Sequence, residues 1–398
     1  NRQHPEIYIQ IKSTELKGPT SLAEMAAASD CFTWPDPAGA SQISGTLDLA
    51  PLADADAEFK PDDYPPALLA PFKRGTSLYG LPYQLKLPAL TYNQTAFEAA
   101  GLAHPNTNWT ADDFLSAAKQ LTSGEGGAKR YGYASLGAQT EDLRFFMSLL
   151  GAPVTHDGAP NFTDPKVEQA ARFYIDLLKN YSPHKQIQGY TRDLAFGGDA
   201  FKLIDEGRVG MWFDAGGINI MIIGPGPGGR QNYTRSLAPP PGADKASPDD
   251  FQVSGLYITA KTQHPDACWQ WLKFLSGDLS ALDGSFPARR SLAESQAFAS
   301  SAPAGAAEVY AAYRPALDRA PDPSGAQNKP ASAPLDLFWF FRAVDRALQG
   351  KELHRELADA QALTEQYLTC VRSGAAAETC ATQVDPTYQG FAGSDRNN

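Results

Sequence analysis

Short runs in which apolar and polar residues alternate take turns with long amphipathic patterns along almost all of this 398-residue chain. That succession restricts the fold more than any other feature. In "RVGMWFDAGG", residues 208–217, Trp212 and Asp214 share one face of a strand while Val209, Met211 and Phe213 share the other. "TDPKVEQAARFYIDLLKNY", residues 163–181, has a Thr163 cap and Pro165 in its first turn, and its stripe of Val167, Ala170, Ala171, Tyr174, Leu177 and Leu178 keeps helical spacing. "TADDFLSAAKQLTS" opens with a capping box from Thr110 to Asp113 and carries Phe114, Ala117, Ala118 and Leu121 on one side. Strands are read in "IYIQI", "DCFTW", "RYGYASLG" and "VSGLYITA", and helices in "SLAEMAAAS", residues 141–150, "PDACWQWLKFLSG" and most of 335–372. Strands alternating with helices predict an α/β class with helices covering the sheets. At 398 residues the chain exceeds what one core fills, so two lobes are expected.

Charge and motif content narrow the function. The formal net charge is -11 and no basic stripe occurs, which argues against a nucleic-acid partner. No apolar run approaches the length of a membrane span. Cys31, Cys268, Cys370 and Cys380 have no zinc spacing, so neither a metal nor another cofactor is expected, and Cys268 reads as a small core residue. "GPGPGG", residues 224–229, fits a dinucleotide glycine pattern only formally, because Pro225 and Pro227 oppose a helix start. "DADAE" opens like a calcium loop but puts Phe59 where the turn needs Gly. The Asn-X-Ser/Thr triplets at Asn93, Asn108, Asn161 and Asn232 read as chance or caps.

"LYGLPYQLKLPALTYNQTAFEAAGL", "NWTADDFLSAAKQLT", "GRVGMWFDAGG", "VSGLYITAKTQHPDACWQWLKFLSG" and "FPARRSL" together resemble the extracellular solute-binding proteins of family 1. These are the sugar-capturing components of ABC importers, of the maltodextrin- and glycerol-phosphate-binding type. The resemblance runs from Pro5 to Leu363, and the tail after Cys370 goes beyond the family pattern. It implies an α/β fold of two doubly wound lobes joined by hinge crossings, periplasmic-binding-protein-like and of type II. The implied first lobe is 1–88 plus 256–312, the second 89–255 plus 313–372, with 373–398 as a C-terminal tail. "GLPYQLKLPALTYN" becomes the first crossing, and further crossings fall at Gln252–Tyr257 and between Ala306 and Arg319.

By the same resemblance, Tyr83, Gln84 and Tyr257 lie at the cleft, with Trp34 and Asp36 offered by the first lobe. Glu141, Asp142, Arg144, Trp212, Asp214 and Trp339 are offered by the second, and Phe286 and Arg289 by a loop that reaches the cleft. Trp34 and Trp339 would stack on a sugar ring while Asp36 and Asp214 accept bonds from its hydroxyls. Each of these residues has an alternative reading as core or helix-end packing. The four adjacent aromatics at 338–341 cover most of a helix circumference, so at least one is expected to face the cleft.

The implied protein is a non-catalytic, monomeric, extracytoplasmic binding protein, in the periplasm or on the outer face of the cell membrane. Its partners are a carbohydrate ligand and the permease subunits of an ABC transporter, and membrane contact is expected only through a lipid anchor upstream of Asn1. Cys370 and Cys380, ten residues apart with a turn at Ser373–Gly374, are expected to form a disulfide, as suits that compartment. The alternative is an extracytoplasmic carbohydrate-active enzyme of glycoside hydrolase type, since 45 acidic residues always supply some carboxylate pair.

Overall fold

The computed structural model describes residues 5–11, 21–39, 42–136, 138–156, 158–191, 200–214, 233–240, 242–246, 251–282, 284–319 and 336–390. Eight strands build its two main sheets: β1 (Cys31–Trp34), β2 (Leu81–Lys86), β3 (Ala89–Asn93), β4 (Tyr131–Ser135), β5 (Val209–Asp214), β6 (Arg235–Ala238), β7 (Gln252–Ile258) and β8 (Phe286–Pro287). The helices that matter below are α1 (Leu22–Ala28), α2 (Ala111–Leu121), α3 (Gln139–Leu149), α4 (Pro165–Tyr181), α5 (Ala200–Asp205), α6 (Pro265–Gly277), α7 (Ala306–Leu317), α8 (Phe338–Leu348), α9 (Leu353–Arg372) and α10 (Ala377–Val384). No described helix is long and apolar enough to cross a membrane.

The first sheet has the order β1-β7-β2-β8 and is antiparallel throughout. The second has the order β6-β3-β5-β4, antiparallel except for β4 beside β5. β2 and β3 are separated only by Leu87 and Pro88, yet they belong to different sheets. Pro88 has no N–H to donate and holds Leu87 extended, so it ends one ladder without bending the chain back. One extended run thereby serves both sheets, which is the crossing that the resemblance implies here.

Each sheet has its own core. The first is filled by residues such as Phe72, Tyr83, Leu256, Tyr257, Trp269 and Phe286, and the second by Phe114, Tyr133, Phe146, Tyr174, Phe213 and Trp339. A smaller cluster under α5, containing Trp212, covers the other face of the second sheet. The cores divide the chain differently from the boundaries that the sequence implies. Ala243, Ala246, Phe251 and Val253 pack into the first core, so the return crossing follows Ala238, where Pro239 and Pro240 end β6, and not 252–257. α7 lies wholly in the first core, which puts the third passage after Leu317. Cys380, Ala381 and Tyr388 are buried in the second core, so 377–388 is part of that lobe and not a tail.

Local signals account for the helices. Thr110 accepts the Asp113 N–H at 3.2 Å while Asp113 accepts the Thr110 N–H at 2.8 Å, the reciprocal box expected at α2. α4 starts one residue later than the Thr163 cap would have it, because Asp164 accepts the Lys166 N–H at 2.8 Å. Cys370 and Cys380 form a disulfide between α9 and α10, as expected. Cys268 is not merely a small core residue: it is bonded to Cys31 and ties α6 to β1.

Candidate functional site

β1 and β2 are both antiparallel to β7, so they run the same way. β1 ends at Trp34 opposite Gly255, and β2 ends at Lys86 opposite Gln252. In the second sheet β4 and β5 are parallel, and Asp214 at the end of β5 pairs with Ala89, the first residue after the crossing. The carboxyl ends of β1, β2, β4 and β5 therefore all face the junction at 87–88. In open α/β sheets a ligand crevice forms at such converging strand ends.

A cavity of about 1060 Å³ adjoins this junction and is lined from both lobes. Pro88 and Pro240 contribute from the crossings, Trp109 and Phe145 from the second lobe, and Asp244 and Tyr313 from the first. The Tyr313 hydroxyl donates to the Pro88 carbonyl at 2.8 Å. Aromatic faces and scattered hydroxyl and charged groups suit a ligand that is apolar on its faces and polar at its rim.

The second-lobe wall is braced from behind. Gln139, fully buried at the start of α3, accepts the Gln188 N–H at 2.9 Å, and Asp345 of α8 accepts the Ile187 N–H at 2.7 Å and the Tyr190 hydroxyl at 3.2 Å. The His184 ring joins Gln139 to β4, with Nε2 3.0 Å from the Ser135 amide nitrogen and Nδ1 3.3 Å from the Gln139 amide. Burial depresses its pKa to about 4, so the imidazole is neutral at neutral pH and serves as a brace.

The expected site residues separate into two groups. Trp34 is half-buried at the end of β1, Asp36 and Glu141 are exposed, and Arg144 is exposed with its guanidinium 5.8 Å from the centre of the Phe341 ring. Asp214 is described only as the last residue of β5.

The other group is held in structural roles. Tyr83 is buried and donates to the Ala281 carbonyl, and Gln84 donates to the Leu282 carbonyl at 3.0 Å. Asp142 is buried and accepts the Tyr133 hydroxyl. Trp212 faces the small cluster under α5 because that face of β5 is covered, and Phe286 is core. Tyr257 is core as well, its hydroxyl taken by the Ala38 N–H and the Asp36 carbonyl, both at 2.9 Å. Arg289 pairs with Asp63 at 2.8 Å. Trp339 is 1% exposed, donates from Nε1 to Asp385 at 2.9 Å, and lies against Tyr367 and Tyr388. These eight make packing, hydrogen-bond or ion-pair contacts within their own lobes.

Trp109, Phe145 and Tyr313 line the junction and were not singled out from sequence. Trp109 had a readable signal, since it directly precedes the Thr110 cap and so stands at the crossing end of α2.

Known proteins share this fold. The sugar-binding protein MalE from Xanthomonas citri is 18% identical with a TM-score of 0.64, covering 94% of this chain and 93% of that one. Maltose-bound MalE3 of T. maritima is 17% identical at TM-score 0.62, covering 92% and 93%. An ABC transporter solute-binding protein from Agrobacterium vitis S4 with bound D-mannitol is 19% identical at TM-score 0.61, covering 88% and 87%. At this identity they establish the fold, the two-lobed type II arrangement. A binding protein of Brucella abortus (strain 2308) is 24% identical over 212 residues, 52% of this chain and 48% of that protein, so the chain spans about half the length of the curated relatives it matches. The family model for bacterial extracellular solute-binding proteins matches residues 6–278, more than half of the chain, and the chain belongs to that family.

Proposed function

We propose that this protein captures a sugar or related polyol between its two lobes, without chemical turnover, and delivers it to the permease subunits of an ABC importer outside the cytoplasm. The observation that carries this reading is the convergence of four strand ends from two sheets on one crossing, in a chain matching the solute-binding family over residues 6–278. Support for the ligand class comes from neighbours of the same fold that hold maltose, D-mannitol or ribitol. Groups near the strand ends suit it: half-buried Trp34 for a ring face, and exposed Asp36, with Glu141 and Arg144 of α3, for hydroxyls.

A thermal-shift screen over mono- and disaccharides, amino sugars, polyols and glycerol phosphates tests the proposal. A ligand at 100 times its Kd stabilises by about 2.7 kcal/mol. Calorimetry on each hit is expected to show saturable binding, and chromatography of the incubated ligand is expected to recover it intact. Products would reject the non-catalytic reading. No hit among carbohydrates would reject the ligand class.

A further inference from the structure

Beside β4, the outer strand of the second sheet, lies another cavity, of about 570 Å³. Tyr131, Lys185, Gln188, Lys202 and Arg208 line it over a floor that includes His184, and no Asp or Glu is among its described lining residues. This is unexpected in a chain of net charge -11. Lys129 adds a fourth positive charge at the rim, its ammonium 5.2 Å from the centre of the Tyr131 ring. The described carboxylate in reach is Glu206, which pairs with Arg208 at 3.0 Å and stands 4.0 Å from Lys202. Among the described residues, four cations thus stand near one carboxylate in ion-pair reach.

The bonds these cations make leave that surplus in place. Arg208 donates from Nε and Nη2 to the Lys129 carbonyl at 3.0 and 2.7 Å, which fixes the guanidinium against the strand. The Lys185 ammonium reaches the carbonyls of Lys179 and Ser182 at 3.5 and 3.3 Å, neutral acceptors that cancel no charge. Its pKa is held down first by burial and then by the like charge of Lys129. The His184 nitrogens are engaged with Ser135 and Gln139, leaving the floor uncharged. A concave, partly dry surface lined by one sign of charge concentrates the potential of opposite ions.

We propose that this groove binds a phosphate-type oxyanion, free or carried on a larger molecule, at a site separate from the interlobe cleft. The lining residues Lys185, Lys202, Gln188 and Tyr131 carry several point-like donors, a set that suits a tetrahedral anion with many acceptor sites better than a planar carboxylate. The cavity exceeds the volume of a bare phosphate, which leaves room for an attached group.

The test uses the whole chain and the double variant Lys185→Gln/Lys202→Gln, both sites exposed, with equal thermal midpoints as the folding control. Inorganic phosphate and glycerol phosphate are titrated calorimetrically, and the protein is co-sedimented with phosphatidylcholine vesicles with and without phosphatidylglycerol. The expected result is saturable binding of a soluble phosphate or of the anionic vesicles, weakened at least tenfold in the variant and weakened by added salt. Binding of the soluble compounds identifies a free solute as the source, and binding of the vesicles alone a lipid headgroup. No binding in either arm, or equal binding by the variant, overturns the proposal. Carbohydrate affinity is expected to be the same in both proteins, so the outcome is independent of the cleft's ligand.

Discussion

Trp339 is a residue whose surroundings say more than its sequence context. Four consecutive aromatics must point around a helix, and the argument that one of them faces the cleft assumes that one side of the helix is open. α8 has no open side at these positions: Phe338, Trp339, Phe340 and Phe341 are each 5% exposed or less. Tyr190 and Tyr388 cover Phe338, Phe162 covers Phe340, and Tyr367 closes over Trp339. Trp339→Ala is therefore expected to cost about 3–5 kcal/mol of stability, read by denaturant unfolding, with the carbohydrate affinity of the folded protein unchanged. A stable variant with weakened affinity would return Trp339 to the cleft. Its partner Asp385 sets a pH dependence. Burial alone would raise that carboxyl, but bonds from Thr387 and Trp339 and the charge of Arg342 outweigh it and bring the pKa from the usual 3.8 to about 2. Asp56 is likewise brought to about 2, chiefly by its bond from Lys273. Both carboxylates are ionised in the fold, so their contribution is complete above pH 4 and is lost as pH falls from about 4 to 2. Unfolding midpoints across that window are expected to fall, and less steeply in Asp385→Asn; equal slopes would exclude Asp385 as a source.

Elements were legible where local chemistry decides them. The α2 capping box, the buried stripe of α4 and the Cys370–Cys380 bridge all depend on residues close in sequence. What sequence could not show is which of two similar cores a strand enters. β7 alternates well, yet nothing within it says whether it pairs with β2 or β3, and the break between the lobes is marked upstream by the Pro239–Pro240 pair. The Cys31–Cys268 bridge spans 237 residues and was invisible for the same reason. Denatured, unreduced protein is expected to show no reactive thiol, with four appearing after reduction; two before reduction would refute one bridge. α7 offers a further test. Gly305, at φ +85°, precedes it, and an added Cβ there would meet the Leu237 carbonyl at 1.9 Å, while the Ala304 carbonyl accepts the Leu237 N–H at 2.8 Å. With Tyr313 held to Pro88, α7 clasps both crossings from the first lobe. Removing that hydroxyl in Tyr313→Phe is expected to cost about 1 kcal/mol and to shift carbohydrate affinity up to about tenfold by changing the balance of open and closed forms. An unchanged Kd would show that the bond is the same in both forms.

At the scale of the whole molecule, two cores meet at strands that continue from one sheet to the other. Each core is densely packed, so neither lobe can deform much to enclose a ligand. Among the described residues the connections between the lobes are Leu87–Pro88 and the Pro239–Pro240 stretch, and the compliance is expected there. A few residues at such places can absorb the dihedral change of a hinge while the lobes move as bodies. Ligand then favours closure only in so far as it touches both lobes, because contacts to one lobe alone are equal in the open and closed forms. Small-angle scattering with and without the saturating carbohydrate identified by the thermal screen is expected to show a smaller radius of gyration in the bound state. The same experiment on Tyr313→Phe separates hinge from ligand contacts: a changed radius without ligand, with the bound radius unchanged, is expected if α7 sets the resting angle. Bound and unbound wild-type curves that superimpose, with binding established calorimetrically in the same buffer, would reject hinge closure as the means of capture.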